Sequence, residues 1–114
     1  GHLKRQLGEL PLLLAGFSFG GFMQIRAAKR LHPRLMVLVA PAVSHHPAEK
    51  VPRETLVVHG ERDDVVPLAA VLDWARPQDL PVVVVPGGDH FFHGRLNLLS
   101  DIVTRYLHRP AAEP

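Results

Sequence analysis

The stretch that most constrains the fold of this chain is GFSFGG, Gly16–Gly21. The apolar run Leu12–Ala15 precedes it and predicts a buried strand, and Phe22–Leu31 follows it with apolar residues at helical spacing. Gly-x-Ser-x-Gly between a strand and a helix is the nucleophile elbow pattern, in which a sharp turn holds the serine hydroxyl clear of the sheet. We expect glycine at positions 16 and 20 because a side chain there would collide where strand and helix cross.

Apolar runs and helical patterns alternate along the rest of the chain. The runs lack polar alternation, and helical patterns occupy most of the connections, which is typical of a parallel sheet covered on both faces. We therefore predict an α/β fold with a parallel sheet of about four strands flanked by helices. The predicted strands are Pro11–Ala15, Leu35–Val39, Thr55–His59 and Pro81–Val85. The predicted helices are His2–Leu7, Phe22–Leu31, Leu68–Ala75 and Arg95–Leu107, the last facing inward through Leu96, Leu99, Val103 and Leu107.

Length and composition exclude several classes of protein. The chain has 114 residues, which predicts one domain over residues 1–109 and a frayed tail over 110–114. The net charge is +2 with scattered basic residues, so we expect no nucleic-acid partner. The longest uncharged run, Leu10–Ile25, has 16 residues and contains a proline and three glycines, so we expect no membrane span. The absence of cysteine favours a reducing compartment, and we expect a cytoplasmic protein.

Residues with catalytic chemistry follow three of the predicted strands. Ser18 follows the first strand, Asp63 and Asp64 follow the third, and His90 follows the fourth. The carboxyl ends of parallel strands meet at one edge of a sheet, where ligands bind. A histidine there can accept the serine proton at neutral pH, and a carboxylate on its other ring nitrogen fixes the tautomer. These residues alone leave either aspartate open as the acid.

At these positions the sequence resembles the α/β-hydrolase superfamily, and more narrowly the small, lid-free bacterial serine hydrolases near the dienelactone hydrolase branch. Three motifs occur in the family's order: Gly16–Gly21, His59–Pro67 and Gly88–Phe92. The resemblance implies Ser18 as nucleophile, Asp63 as acid and His90 as base, with the Phe19 N–H as one oxyanion donor. Dienelactone hydrolases use cysteine, so a serine favours ester chemistry.

The resemblance implies a hydrolase of carboxylic esters or thioesters that works through an acyl-enzyme on a small-molecule ester. No cofactor and no metal are expected. Phe17 and Phe91 are candidates for substrate binding, although core packing explains such aromatic residues equally well. Two alternatives stay open: a peptidase of the same fold, and a catalytically silent half-domain that only assembles.

The chain departs from the family in one respect. The family fold has about eight strands, whereas this chain supplies the last four, so it corresponds to the C-terminal half of an α/β-hydrolase fold. The other half normally includes the loop with the second oxyanion donor, and loss of one donor costs roughly 100- to 1000-fold in rate. The first strand would then be an apolar sheet edge, so we expect homo-oligomers that form through it.

Neighbouring polar residues are expected to have structural roles. Asp64 suits the start of the next helix, and Asp89 suits a turn. We expect His93 to be an exposed polar residue and His59 to be a hydrogen-bonded structural histidine. His45–His46 is a weak metal pattern, because no acidic partner lies at helical spacing.

Overall fold

A computed structural model describes residues 13–18, 20, 21, 23, 25, 35–43 and 50–108 of the chain. Within this part the chain forms one four-stranded sheet in which every pair of neighbouring strands is parallel. The strands, in both chain order and sheet order, are β1 (Leu13–Phe17), β2 (Leu35–Val39), β3 (Thr55–Gly60) and β4 (Val83–Val85). The helices are α1 (Leu68–Ala75), followed by a 3₁₀ turn (Arg76–Gln78), and α2 (Leu96–Leu107). Gly20, Gly21, Met23 and Ile25 are also helical.

The predicted fold class is confirmed, and most element bounds agree with the prediction. β2 and α1 have the predicted bounds, and α2 begins one residue later than predicted. β1 continues to Phe17, so the strand leads directly into Ser18. β4 begins at Val83 rather than Pro81. Pro81 has no N–H to donate to a sheet, and Val82 also lies outside the strand. The predicted helix at 2–7 and the predicted tail at 110–114 lie outside the described residues.

Both faces of the sheet are covered, because successive strand residues point to opposite sides. On one face, Leu38 of β2 and Val57 of β3 form a core with Val71 of α1. On the other face, Val58 of β3 and Val85 of β4 form a second core. Leu99 and Ile102 of α2 pack against this second core, together with the buried residues Ala40 and Phe92.

The inward face predicted for α2 is wrong at both of its ends. Leu96 is 63% exposed and Leu107 is 40% exposed, whereas Leu99 and Ile102 contact the core. Leu96 precedes and Leu107 follows the part of the helix that meets the sheet, so only the middle turns are covered. Neither this helix nor any other within the described residues is long and apolar enough to cross a membrane.

The two glycines of the elbow have different reasons for being glycine. A Cβ on Gly16 would lie 2.6 Å from the carbonyl oxygen of Gly20, which confirms the predicted collision. For Gly20 the prediction is wrong, since a Cβ there would have no described atom within 4 Å. The close approach of strand and helix therefore constrains position 16 and leaves position 20 open.

Alanine substitutions at these two glycines test this difference. We expect Gly16→Ala to lower the free energy of unfolding by about 1–3 kcal/mol, because backbone atoms must shift to admit the methyl group. Gly20→Ala should leave stability unchanged or raise it by up to about 1 kcal/mol, since Gly20 is helical and alanine favours helices. Urea denaturation of both variants beside the wild type measures the effect. Equal destabilisation by the two substitutions would contradict the assignment.

Candidate active site

Ser18 lies at the carboxyl end of β1 in a backbone conformation that is rare for a residue with a side chain. Its φ is 56°, in the left-handed region, which costs about 1–3 kcal/mol unless the surroundings hold it. The Ser18 N–H donates to the carbonyl of Val39 at 2.9 Å, and the Ala42 N–H donates to the carbonyl of Ser18 at 3.1 Å. The elbow is therefore fixed to the segment at the end of β2, and this holds the half-buried serine at the sheet edge.

Asp63 is buried in the loop after β3, and its carboxylate is fixed by its own turn. Oδ1 accepts hydrogen bonds from the N–H groups of Val65 at 2.8 Å and Val66 at 2.7 Å. These bonds occupy Oδ1 and leave Oδ2 to accept from another group. Asp63 is therefore the buried aspartate at this edge of the sheet, whereas Asp64 is exposed.

His90 connects the other two residues. Its Nδ1 lies 2.7 Å from Asp63 Oδ2, and its Nε2 lies 3.0 Å from Ser18 Oγ. A carboxylate only accepts hydrogen bonds, so Nδ1 carries the proton and Nε2 is left to accept from the serine hydroxyl. The His90 side chain is 4% exposed. Ser18, Asp63 and His90 are therefore brought together as predicted, and their roles in catalysis stay predictions.

The loop that carries His90 is bound to the loop that carries Asp63. The Arg62 N–H donates to the carbonyl of Gly88 at 2.8 Å, and the Glu61 N–H donates to the carbonyl of Val85 at 3.0 Å. A Cβ on Gly60 would lie 2.7 Å from the Gly88 carbonyl carbon, so only glycine permits this approach. The acid and the histidine therefore form one unit that faces the serine.

Two aromatic side chains flank the His90 imidazole on its solvent side. The ring centroid of Phe17 lies 5.2 Å from that of His90, and the centroid of Phe91 lies 4.9 Å from it in an edge-on arrangement. Phe17 is 42% exposed and Phe91 is 57% exposed, so both present apolar surface beside His90. Phe92, in contrast, is a core residue. Phe19, the predicted oxyanion donor, lies outside the described residues.

The remaining acidic and histidine side chains of these loops have other partners. His93 is exposed, and its backbone N–H donates to Asp89 Oδ1 at 2.8 Å while its Nδ1 lies 2.5 Å from Oδ2. These hydrogen bonds from His93 lower the pKa of the Asp89 carboxyl. Asp89 therefore has the predicted turn role. Among the described residues, no group of three or more histidine, aspartate or glutamate side chains is placed to hold a metal ion. His45–His46 lies outside the described residues.

Sequence reasoning missed how close His59 lies to this site. It is fully buried at the end of β3, and its Nε2 lies 2.7 Å from the Val66 carbonyl and 3.4 Å from Asp63 Oδ2. Burial lowers the pKa of His59, against the opposing effects of the Val66 hydrogen bond and the Asp63 charge. The available signal was the spacing, because a histidine that ends a strand four residues before a turn aspartate can reach back to it.

Several solved structures are similar to this chain over nearly its whole length. A serine hydrolase of the α/β class without a lid, from Xanthomonas campestris, has a TM-score of 0.82 and 34% identity, covering 91% of this chain and 50% of its own. A homologue of α/β serine hydrolases from Coxiella burnetii has a TM-score of 0.77 and 31% identity, covering 93% and 55%. A protein of unknown function from Agrobacterium tumefaciens, at 21% identity and a TM-score of 0.80, shares the fold.

The chain spans about half the length of the first two of these structures. No protein-family model and no curated protein matches it.

The lowered pKa of His59 predicts how stability depends on pH. An unfolded chain binds the His59 proton near the ordinary value of 6.5, whereas the folded chain resists it. Below that pH the unfolded state holds more protons, so the free energy of unfolding should fall as the pH is lowered. Urea denaturation at about pH 7.5 and about pH 5.5 measures this fall. His59→Gln, which cannot be protonated, should show a smaller fall, and an identical fall in both proteins would contradict the prediction.

Proposed function

The chain belongs to the α/β-hydrolase superfamily, and on that premise we propose that it is a serine hydrolase of carboxylic esters or thioesters. The observation that carries the proposal is the pair of hydrogen bonds that runs from Ser18 Oγ to His90 Nε2 and from His90 Nδ1 to Asp63 Oδ2. A serine hydroxyl is a weak nucleophile unless a base accepts its proton, and this arrangement supplies the base and orients it.

In the proposed reaction Ser18 Oγ attacks the carbonyl carbon of the ester while its proton moves to His90 Nε2. The resulting imidazolium is stabilised by the Asp63 carboxylate, which stays ionised. His90 then gives the proton to the leaving alcohol or thiol, and an acyl group remains on the serine. His90 then takes a proton from a water molecule, whose oxygen attacks the acyl carbon. The bond from that carbon to Ser18 Oγ breaks, the acid leaves, and His90 returns the proton to Oγ. The steps need no cofactor.

The oxyanion that forms during the attack needs hydrogen-bond donors. The N–H that follows the nucleophile belongs to Phe19, and we propose it as one donor on the strength of the motif alone. Each donor is worth roughly 100- to 1000-fold in rate. The chain spans about half the length of the first two similar structures, so we propose the full rate only for a protein of that length.

The surroundings of the serine support a small substrate with an apolar group. Phe17 and Phe91 present exposed rings beside His90, with their centroids 6.0 Å apart. Such rings stack on a planar or apolar group at low entropic cost, because each has only two side-chain torsions. We therefore propose that they contact the acyl group of the ester.

A second candidate function is assembly without catalysis. In the described sheet β1 pairs with β2 alone, and the chain spans half the length of its relatives. A strand edge of this kind can pair with the same strand of a second copy. Size-exclusion chromatography with light scattering tests this candidate: a monomer at all concentrations contradicts it, and a dimer or larger species supports it.

Covalent labelling tests the nucleophile directly. We expect a fluorophosphonate probe to modify Ser18 of the wild-type chain and to leave Ser18→Ala unmodified, as identified by peptide mass spectrometry. Hydrolysis of a short p-nitrophenyl ester should fall by about 10⁴-fold or more in that variant. Ser100→Ala, which removes an exposed hydroxyl on α2, is the matched control and should keep both label and turnover. An unlabelled wild-type chain, or a labelled Ser18→Ala, would contradict the proposal.

A truncation of Phe91 tests the proposed acyl contact. We expect Phe91→Ala to raise KM for ethyl benzoate roughly fivefold, since an aromatic contact contributes about 1 kcal/mol. KM for ethyl acetate should stay nearly constant, because its acyl group is too small to reach the ring. An equal change in KM for the two esters would show that Phe91 acts on the fold and not on the substrate.

A further inference from the structure

His59 is buried beside Asp63, and the proposed reaction does not use it. It belongs to β3, so its backbone is held in the sheet between β2 and β4. Its Nε2 lies 2.7 Å from the Val66 carbonyl oxygen and 3.4 Å from Asp63 Oδ2. Its Nδ1 is buried and has no hydrogen-bond partner among the described residues. One side of this imidazole is therefore engaged with the Asp63 loop, and the other side is not.

These contacts determine the tautomer of His59. A carbonyl oxygen only accepts hydrogen bonds, so Nε2 must carry the proton. Nε2 also lies 3.4 Å from Asp63 Oδ2, which gives an electrostatic contact and not a hydrogen bond. The titratable groups that act on the ring are Asp63, which favours protonation, and His90, which opposes it. Burial has the largest effect and lowers the pKa of His59.

The bond to Val66 has a direct consequence for the carboxylate. The Val66 N–H donates to Asp63 Oδ1, while the Val66 carbonyl accepts from His59. A single peptide residue thus connects a side chain of the sheet to the acid of the site. If His59 lost its donor, the turn would lose one of the contacts that hold it, and we expect Oδ2 to be held less firmly at 2.7 Å from His90 Nδ1.

We infer that His59 is a positioning residue for the proposed Ser18-His90-Asp63 site, and that it acts through its Nε2–H on the Val66 carbonyl and on Asp63 Oδ2. The inference rests on the proposed hydrolase function and assigns a role that this function does not itself require. Replacing a histidine with a structural role alone would lower stability but leave kcat of the folded protein unchanged. A positioning histidine needs a donor at the Nε2 position and none at the Nδ1 position.

Two amide substitutions separate these possibilities. The side-chain amide of glutamine reaches the position of Nε2, whereas that of asparagine stays near Nδ1. We expect His59→Gln to keep kcat and the rate of fluorophosphonate labelling within about threefold of wild type. In His59→Asn both should fall by about tenfold or more, with KM within about twofold, because the defect lies in orientation and not in binding. His108→Gln, an exposed histidine at the end of α2, is the control.

The outcomes are distinguishable. Unchanged labelling and turnover in His59→Asn, or an equal loss in both variants, would overturn the inference while leaving the hydrolase proposal intact. A wild-type chain that is never labelled would contradict the hydrolase proposal. If the wild type is never labelled, or if His59→Asn does not fold, the ¹⁵N chemical shifts of the histidines in the wild-type chain test the inference instead. A neutral His59 protonated at Nε2 supports the inference, and a charged ring or one protonated at Nδ1 overturns it.

Discussion

The candidate site depends on how the Asp63 carboxylate is held. A carboxylate removed from water is costly unless hydrogen bonds replace its hydration. Here two N–H groups of its own turn occupy Oδ1, and the imidazole of His90 occupies Oδ2 at 2.7 Å. Because Oδ1 already accepts two hydrogen bonds from the turn, the His90 imidazole approaches Oδ2. The bond to Oδ2 also fixes the imidazole tautomer, so the opposite nitrogen, Nε2, accepts from the Ser18 hydroxyl.

The spacing of the strands sets how far apart the loops of Ser18, Asp63 and His90 begin. β1 and β4 lie on opposite edges of the four-stranded sheet, so Ser18 and the end of β4 are roughly 14 Å apart by strand spacing. His90 reaches the serine because its loop turns back over the end of β3. Gly60 permits the close approach, and the backbone bond from Arg62 to Gly88 holds it. The acid therefore lies between the serine and the strand that carries the histidine.

Much of this architecture could be predicted from the sequence, because the patterns involved are local or follow from sheet topology. β2 is a continuous apolar run, and α1 begins directly after Pro67, so their bounds were predictable. The grouping of Ser18 with the loops of Asp63 and His90 was predictable, because parallel strands all end at the same edge of a sheet. The covered part of α2 was not predictable, because periodicity does not say where the sheet stops beneath a helix. The contact of His59 with Asp63 was also missed, since it depends on how tightly the turn after β3 closes.

The site depends most on the hydrogen bond that His90 Nδ1–H donates to the Asp63 carboxylate. Proton magnetic resonance of the wild-type chain across about pH 5 to 8 tests it most directly, because a charge-assisted hydrogen bond moves such a proton far downfield of ordinary amides. The account predicts this resonance in the wild type and its disappearance in Asp63→Ala, with the amide spectrum otherwise preserved. A wild-type spectrum without the resonance, or one that Asp63→Ala leaves unchanged, would contradict the account.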